Sequence, residues 1–275
     1  MTPFLKMHGL GNDFAIFDAR KAPLSLSRAR AAAIADRRFG VGCDQVIVIA
    51  PGPDGFDAAM QIKNADGGDV ESCGNATRCV ARLLMDEKKV ASVRIDTVGG
   101  ALACSDAGGG DVTVDMGAPH LAWDEVPLAR PEDTNSFALN VDGASHIAAA
   151  VSIGNPHCVL FVEDVLKAPV AELGARIETH PLFPERTNVE FVSVEAPDRL
   201  RMRVWERGAG ITSACGTGAC AAAVAGHRRG VSNAKVEVVL DGGSLFIELD
   251  GGHVRMTGPA SLAYCGEIDL ESYPA

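Results

Sequence analysis

Two cysteines in this chain, Cys73 and Cys215, lie 142 residues apart, and each is followed at once by a glycine at the expected start of a helix. The first amides of a helix have no partner inside it, so such a start holds anions and favours negative charge. The same partial positive charge lowers a thiol's pKa and brings thiolate within reach near neutral pH. A glycine after the cysteine lets a ligand approach the backbone closely. Two such thiols, presented from two similar helices across a cleft, can address one carbon from opposite faces. One removes a proton as thiolate and the other returns one as thiol, which is two-base racemisation or epimerisation. The other six cysteines, Cys43, Cys79, Cys104, Cys158, Cys220 and Cys265, lack this setting and read as reduced, buried packing residues. Cys79 and Cys220 point away from their helix-start neighbours at about 100° per residue.

The elements that must carry the two thiols occur twice. At an offset near 142, Met60 matches Met202, Gly68 matches Gly210, and Cys73-Gly74 matches Cys215-Gly216. Gly11-Asn12 matches Gly154-Asn155, Gly99-Gly100 matches Gly242-Gly243, and Gly109-Gly110 matches Gly251-Gly252. The ordered series implies two structural repeats, residues 1–118 and 119–275, joined near Met116–Pro119. In each, a period-two strand (Phe56–Lys63; Leu200–Trp205) enters a Gly-rich loop and then a helix, Cys73 to Lys89 and Cys215 to Arg229. Ser72 is the expected N-cap of the first helix and Gly230 the stop of the second. Short strands with Gly-Gly and Asp-Gly turns follow, the pattern of antiparallel hairpins. A further amphipathic helix is expected over Leu26–Phe39, capped by Ser25 or Ser27 and stopped by Gly40. The fold class is α+β: two pseudo-symmetric repeats, each a mostly antiparallel sheet around a central helix, with the active site in the cleft between them. The strand Leu262–Ile268 has no match in the repeat register, and the tail 262–275 is expected to return to the first half.

Composition narrows the partners. The 275 residues carry a net charge of −11, with two Trp and two Tyr, which argues against nucleic-acid binding. No run of about 18 apolar residues is present to span a bilayer, and the N-terminus lacks a secretory core, so a cytoplasmic protein is expected. Eight cysteines in 275 residues fall well below a disulfide scaffold, and their spacing offers neither a zinc site nor a Cys-x-x-Cys redox motif. None of the seven lysines occupies the repeated loop-helix position, so pyridoxal phosphate is not expected and the chemistry reads as cofactor-independent.

Beyond the paired cysteines, the sequence resembles the diaminopimelate epimerase family along essentially its whole length. The motifs are Met7-His-Gly-Leu-Gly-Asn-Asp-Phe14, Asn64-Ala-Asp-Gly67, Cys73-Gly-Asn75 with Arg78-Cys79, Gly154-Asn-Pro-His157, Glu185-Arg-Thr-Asn188, and Glu206-Arg-Gly208 leading into Ala214-Cys-Gly-Thr-Gly-Ala219. The resemblance implies interconversion of LL- and meso-2,6-diaminopimelate, in lysine and peptidoglycan-precursor synthesis, by a homodimer. It implies Cys73 and Cys215 as the acid/base couple, with His157 and Glu206 tuning the thiols. Substrate-binding roles carry over to Asn12, Gln45, Asn64, Gly74, Asn75, Asn155, Asn188, Glu206, Arg207, Gly216 and Thr217. A guanidinium at Arg207 suits a carboxylate, and Asn64 and Glu206 occupy the same repeat position. His8 reads as structural, and Asp13 and Asp66 as loop braces. Ile211 and Ser213 depart from the family pattern in the loop before Cys215. Two other readings remain open: a racemase of the proline or hydroxyproline type, and a redox sensor built on a Cys73–Cys215 disulfide.

Overall fold

A computed structural model describes residues 1–71 and 73–274. The chain forms two compact units, Met1–Val114 with the segment from Gly258 onward, and Asp115–Thr257. The first contains β1 (Thr2–Gly9), β2 (Asn12–Asp18), α1 (Arg28–Ala35), β3 (Gln45–Ala50), β4 (Ala58–Asn64), β5 (Asp69–Val70), α2 (Gly74–Lys88), β6 (Ser92–Thr97) and β7 (Gly100–Gly108), with β8 (Asp111–Asp115) at its boundary. The second contains β9 (Phe137–Val141), β10 (Ala144–Ser152), β11 (Pro156–Phe161), α3 (Val170–Glu178), β12 (Asn188–Ala196) and β13 (Arg199–Glu206). It continues through β14 (Gly210–Thr212), α4 (Gly216–Arg228), β15 (Lys235–Leu240), β16 (Gly243–Asp250) and β17 (His253–Pro259); β18 (Ser261–Ile268) belongs to the first unit.

The two units repeat one topology. In the first, β1 pairs antiparallel with β2, β2 parallel with β3, β3 antiparallel with β4, β4 parallel with β6, and β6 antiparallel with β7. The strands β10, β11, β12, β13, β15 and β16 follow the same sequence of senses. The register repeats as well: Phe14 opposes Gln45 where His157 opposes Asn188, and Ala58 opposes Ile95 where Leu200 opposes Val238. Each sheet is therefore mixed, with two parallel pairings inside a framework of hairpins. The C-terminal strand does have a spatial counterpart. β18 lies antiparallel on β1, and β9 lies antiparallel on β10, so one flanking place is filled from the end of the chain and the other from the start of a repeat. An offset comparison cannot detect that equivalence, because the two strands sit on opposite sides of their repeats in chain order.

Each unit holds its sheet around a helix. α4 can be enclosed because Ala219 to Ala225 is a run of small side chains, all buried, that lets strands approach on every side. α2 packs on β1, β6 and β7 through Cys79, Val80, Ala81, Leu84 and Met85. Buried Arg78 ties this helix to the C-terminal segment, its Nε donating to the Pro259 carbonyl at 3.2 Å. α1 is shorter than the expected Leu26–Phe39. Ser27 caps it by accepting from the Arg30 amide (3.0 Å), but Asp36 ends it, because its carboxylate captures the Arg38 and Phe39 amides instead of letting the helix run on. The N-cap of α2 is Cys73, while Ser72 lies outside the described residues. α3 was not anticipated; its apolar face is set by Val170, Gly174 and Ile177. Cys265 is exposed, unlike the other five cysteines read as buried packing, because β18 is exposed along the whole stretch Leu262 to Cys265. Among the described residues no helix is long and apolar enough to cross a membrane.

Candidate active site

The polar residues expected to work gather at the start of the central helix in each unit. In the first, Gly11 turns the chain between β1 and β2 at φ +86°, as Gly154 does at φ +87° between β10 and β11, a conformation that favours glycine. Asn12 follows, and its amide is aimed by its neighbours. Nδ2 donates to Asp44 at 3.0 Å, which turns Oδ1 toward α2, where it accepts from Asn75 Nδ2 (3.1 Å) and lies 3.9 Å from Cys73 Sγ. Asp44 is fixed by Arg37 (2.6 Å), which also pairs with Asp13 (2.8 Å). Burial raises the Asp13 carboxyl, but Arg37 and Lys6 outweigh it and hold its pKa at about 2. Asp13 is thus a brace, as is Asp66, which accepts from the Gly68 amide and Arg28. Across β3 and β4, Gln45 donates to Asn64 Oδ1 at 3.0 Å.

The second unit places a denser network around Cys215. The sulfur caps α4, accepting from the Gly218 amide at 3.4 Å, with Thr217 Oγ1 at 3.6 Å. Asn155 donates to Thr217 Oγ1 (3.5 Å), and its Oδ1 lies 3.0 Å from Nε2 of His157. Glu206, at the end of β13, accepts from Thr212 Oγ1 and from the Cys215 thiol. Desolvation pushes its carboxyl up to about 6, against the lowering effect of those two donors. Asn188 is anchored to the backbone, donating one amide hydrogen to the Pro156 carbonyl (3.0 Å) and accepting from the Arg207 amide (2.9 Å). The Arg207 guanidinium donates to the Glu185 carbonyl at 3.1 Å.

One expectation is reversed. A helix start was expected to lower both thiols, yet the Cys215 pKa is raised well above its ordinary value. Burial contributes most, and the Glu206 and Glu190 charges add to it, outweighing Thr217 and the Gly218 amide. The site therefore holds Cys215 as a thiol until a cation or a displaced carboxylate changes the balance. Burial raises Cys43 to about 11, Cys79 and Cys104 to about 12, and Cys158 as well.

Glu190 and Glu178 were not anticipated. Glu190 is fully buried beside His157; its signal was a lone acid in the apolar run Val189-Glu-Phe-Val192, where the first repeat has Ile47. Glu178, at the end of α3, accepts from Trp205 Nε1 (2.6 Å) and the Gly208 amide (2.8 Å) and pairs with Arg186 (2.7 Å). It ties the segment bearing Asn188 to the segment bearing Arg207. Gly218 is also constrained, since a Cβ there would meet Glu190 Oε1 at 2.8 Å and Cys215 Sγ at 3.2 Å. Gly218→Ala is expected to displace the sulfur and lower turnover roughly 100-fold, the effect of about 1 Å of misplacement. Steady-state kinetics on a variant of unchanged circular dichroism checks it.

Comparison with known proteins decides the relationship. The family model for diaminopimelate epimerase matches residues 4–122 and 149–263, covering both cysteine sites. The chain belongs to this family. It is 52% identical over 268 residues to the diaminopimelate epimerase of Acidiphilium cryptum, covering 97% of this chain and 96% of that one. It is 46% identical to that of Pseudomonas syringae pv. tomato, covering 97% and 99%. Among solved structures, a hydroxyproline epimerase from Agrobacterium vitis superposes with TM-score 0.70 at 16% identity, over 96% of this chain and 91% of the other. A Bacillus anthracis phenazine biosynthesis protein superposes with TM-score 0.66 at 14% identity, over 98% and 99%. At these identities the two structures share the fold alone with this chain.

Proposed function

We propose that this chain interconverts LL- and meso-2,6-diaminopimelate without a cofactor, with Cys73 and Cys215 acting on opposite faces of one α-carbon. The observation that carries the reading is their equivalence: each is the N-cap of the central helix of its own repeat, with an asparagine from the preceding hairpin turned toward the first turn of that helix. The substrate α-carboxylate sits on the first-turn amides of Gly74-Asn75 and Gly216-Thr217, which stabilise the charge that develops when the α-proton leaves. One sulfur, as thiolate, takes that proton; the other gives its S–H proton to the opposite face, and the two protonation states are exchanged after turnover. Glu206 receives a substrate ammonium or draws on the Cys215 proton, and Arg207, Asn64 and Asn188 read the distal amino-carboxylate. The enzyme acts in the cytoplasm as a homodimer, supplying lysine and peptidoglycan precursors.

An assay of both substrates separates this from a proline-type racemase. Turnover of LL-diaminopimelate and none of proline is expected; the reverse would overturn the assignment. Glu178 supplies a further check, because it anchors the loop of the distal-end reader. Glu178→Gln is expected to raise KM about 10-fold with kcat nearly unchanged, since it loosens Arg207 and leaves the thiols alone. A drop confined to kcat would contradict the placement of Arg207 at the distal end.

A further inference from the structure

β12 buries Glu190 completely among Val189, Phe191 and Val192, with Oε1 2.7 Å from Nδ1 of the equally buried His157. Its Oε2 has no hydrogen-bond partner among the described residues. Burying such a pair carries a desolvation cost that an apolar pair avoids. The fold itself shows the apolar solution. At the same register the first unit has Phe14 and Ile47, both fully buried, so the architecture closes without any charge there. The charge is therefore not required by the topology.

What the pair adjoins is the Cys215 sulfur. From Glu190 Oε1 a polar chain runs to His157 Nδ1 (2.7 Å), from His157 Nε2 to Asn155 Oδ1 (3.0 Å), from Asn155 Nδ2 to Thr217 Oγ1 (3.5 Å), and from there to Cys215 Sγ (3.6 Å). The carboxylate also lies directly against the first turn of α4 at Gly218, the residue whose amide binds that sulfur.

We propose that Glu190 is a positioning residue for the chemistry at Cys215: by accepting from Nδ1 of His157 it fixes the imidazole ring, whose Nε2–H donates to Asn155 Oδ1, and so orients, through Asn155 and Thr217, the thiol of the second unit, a device the first unit lacks. The inference rests on Cys215 being one of the two catalytic thiols. It makes the halves unequal, with a titratable, hydrogen-bonded support behind one thiol and a hydrocarbon wall at the same place in the other. The groups facing Cys215 are Glu206, Glu190, Thr217 and the Gly218 amide, with His157 behind them.

The test uses the full-length enzyme with Glu190→Leu, Glu190→Gln and the double variant His157→Phe/Glu190→Ile, which rebuilds the Phe14–Ile47 pair of the first unit. Glu190→Leu should lower kcat roughly 10- to 100-fold with KM almost unchanged, and Glu190→Gln should recover most of that loss because its Oε1 still accepts from Nδ1. The ¹⁵N spectrum should show a His157 Nδ1–H in the wild type and in Glu190→Gln, and lose it in Glu190→Leu. If Glu190→Leu does not fold, the double variant carries the test: folded and deficient in kcat is the expected result. Wild-type kcat in either folded variant, or an unchanged His157 Nδ1–H in Glu190→Leu, overturns the inference. Cys215→Ala is measured alongside. Activity there defeats the two-thiol reading itself, whereas an inactive Cys215→Ala beside a fully active Glu190→Leu defeats only the role of Glu190.

Discussion

Replacing either Cys73 or Cys215 by alanine is expected to reduce epimerisation at least about 10³-fold, within the range a positioned acid or base supplies. The loss should fall on kcat, because the amides that hold the carboxylate belong to the helix backbone and survive the substitution. The two variants should not be identical in behaviour. Each keeps one base on one face, so each should still exchange the α-proton of one epimer with D₂O when the remaining sulfur is correctly protonated. Opposite epimer preferences in the two variants would assign each thiol to its face. Full activity in either variant would remove that thiol from the mechanism. Both substitutions are small and sit at helix caps, so far-ultraviolet circular dichroism should be unchanged.

The second large effect belongs to Glu206, and it separates activity from stability. Glu206→Gln is expected to lower kcat/KM roughly 10- to 100-fold, because the carboxylate next to Cys215 loses its charge. The same substitution should make the protein more stable at high pH. Burial pushes its carboxyl up to about 6 in the fold from the ordinary 4.5, so the folded state favours the protonated form. The stability this gives is complete below pH 4.5, is lost as the pH rises through 6, and is absent above it. At pH 8 the charged carboxylate costs about 1 kcal/mol after solvent screening, a melting shift of roughly 2–4 °C that Glu206→Gln should recover. At pH 4 the variant and wild type should melt together. Equal melting temperatures at both pH values would mean that Glu206 is not desolvated.

The parts of this molecule legible in the sequence are those that the repeat wrote twice. Cys73 with Cys215, Asn12 with Asn155, and the glycines that turn the chain before each asparagine stand out because an offset of about 142 aligns them. The register of the sheets then places Gln45 beside Asn64 without further information. What the repeat does not share was invisible to it. Glu190 has Ile47 at its equivalent position and His157 has Phe14, so the buried pair appears only where the halves differ. Glu178 lies on α3, which fills the place of α1 between equivalent strands, but the first repeat has Ala35 at its position, so this carboxylate too appears only where the halves differ. The raised thiol at Cys215 was also hidden, because a helix start predicts its sign only while the sulfur stays near solvent. Burial and two neighbouring carboxylates reverse it. The early end of α1 follows from one carboxylate, Asp36, binding the two amides that would have continued the helix.

The central claim is that two different sulfurs serve the two faces of one carbon, and isotope transfer tests it most directly. LL-diaminopimelate is incubated with the wild-type enzyme in D₂O, and the α-positions of substrate and product are followed by ¹H NMR at low conversion. With two bases the product carries solvent deuterium at the inverted carbon from its first appearance, while the remaining substrate stays protiated. Product that retains the substrate's own α-proton at early times would show that a single base lifts the proton and returns it to the other face, and would contradict the account.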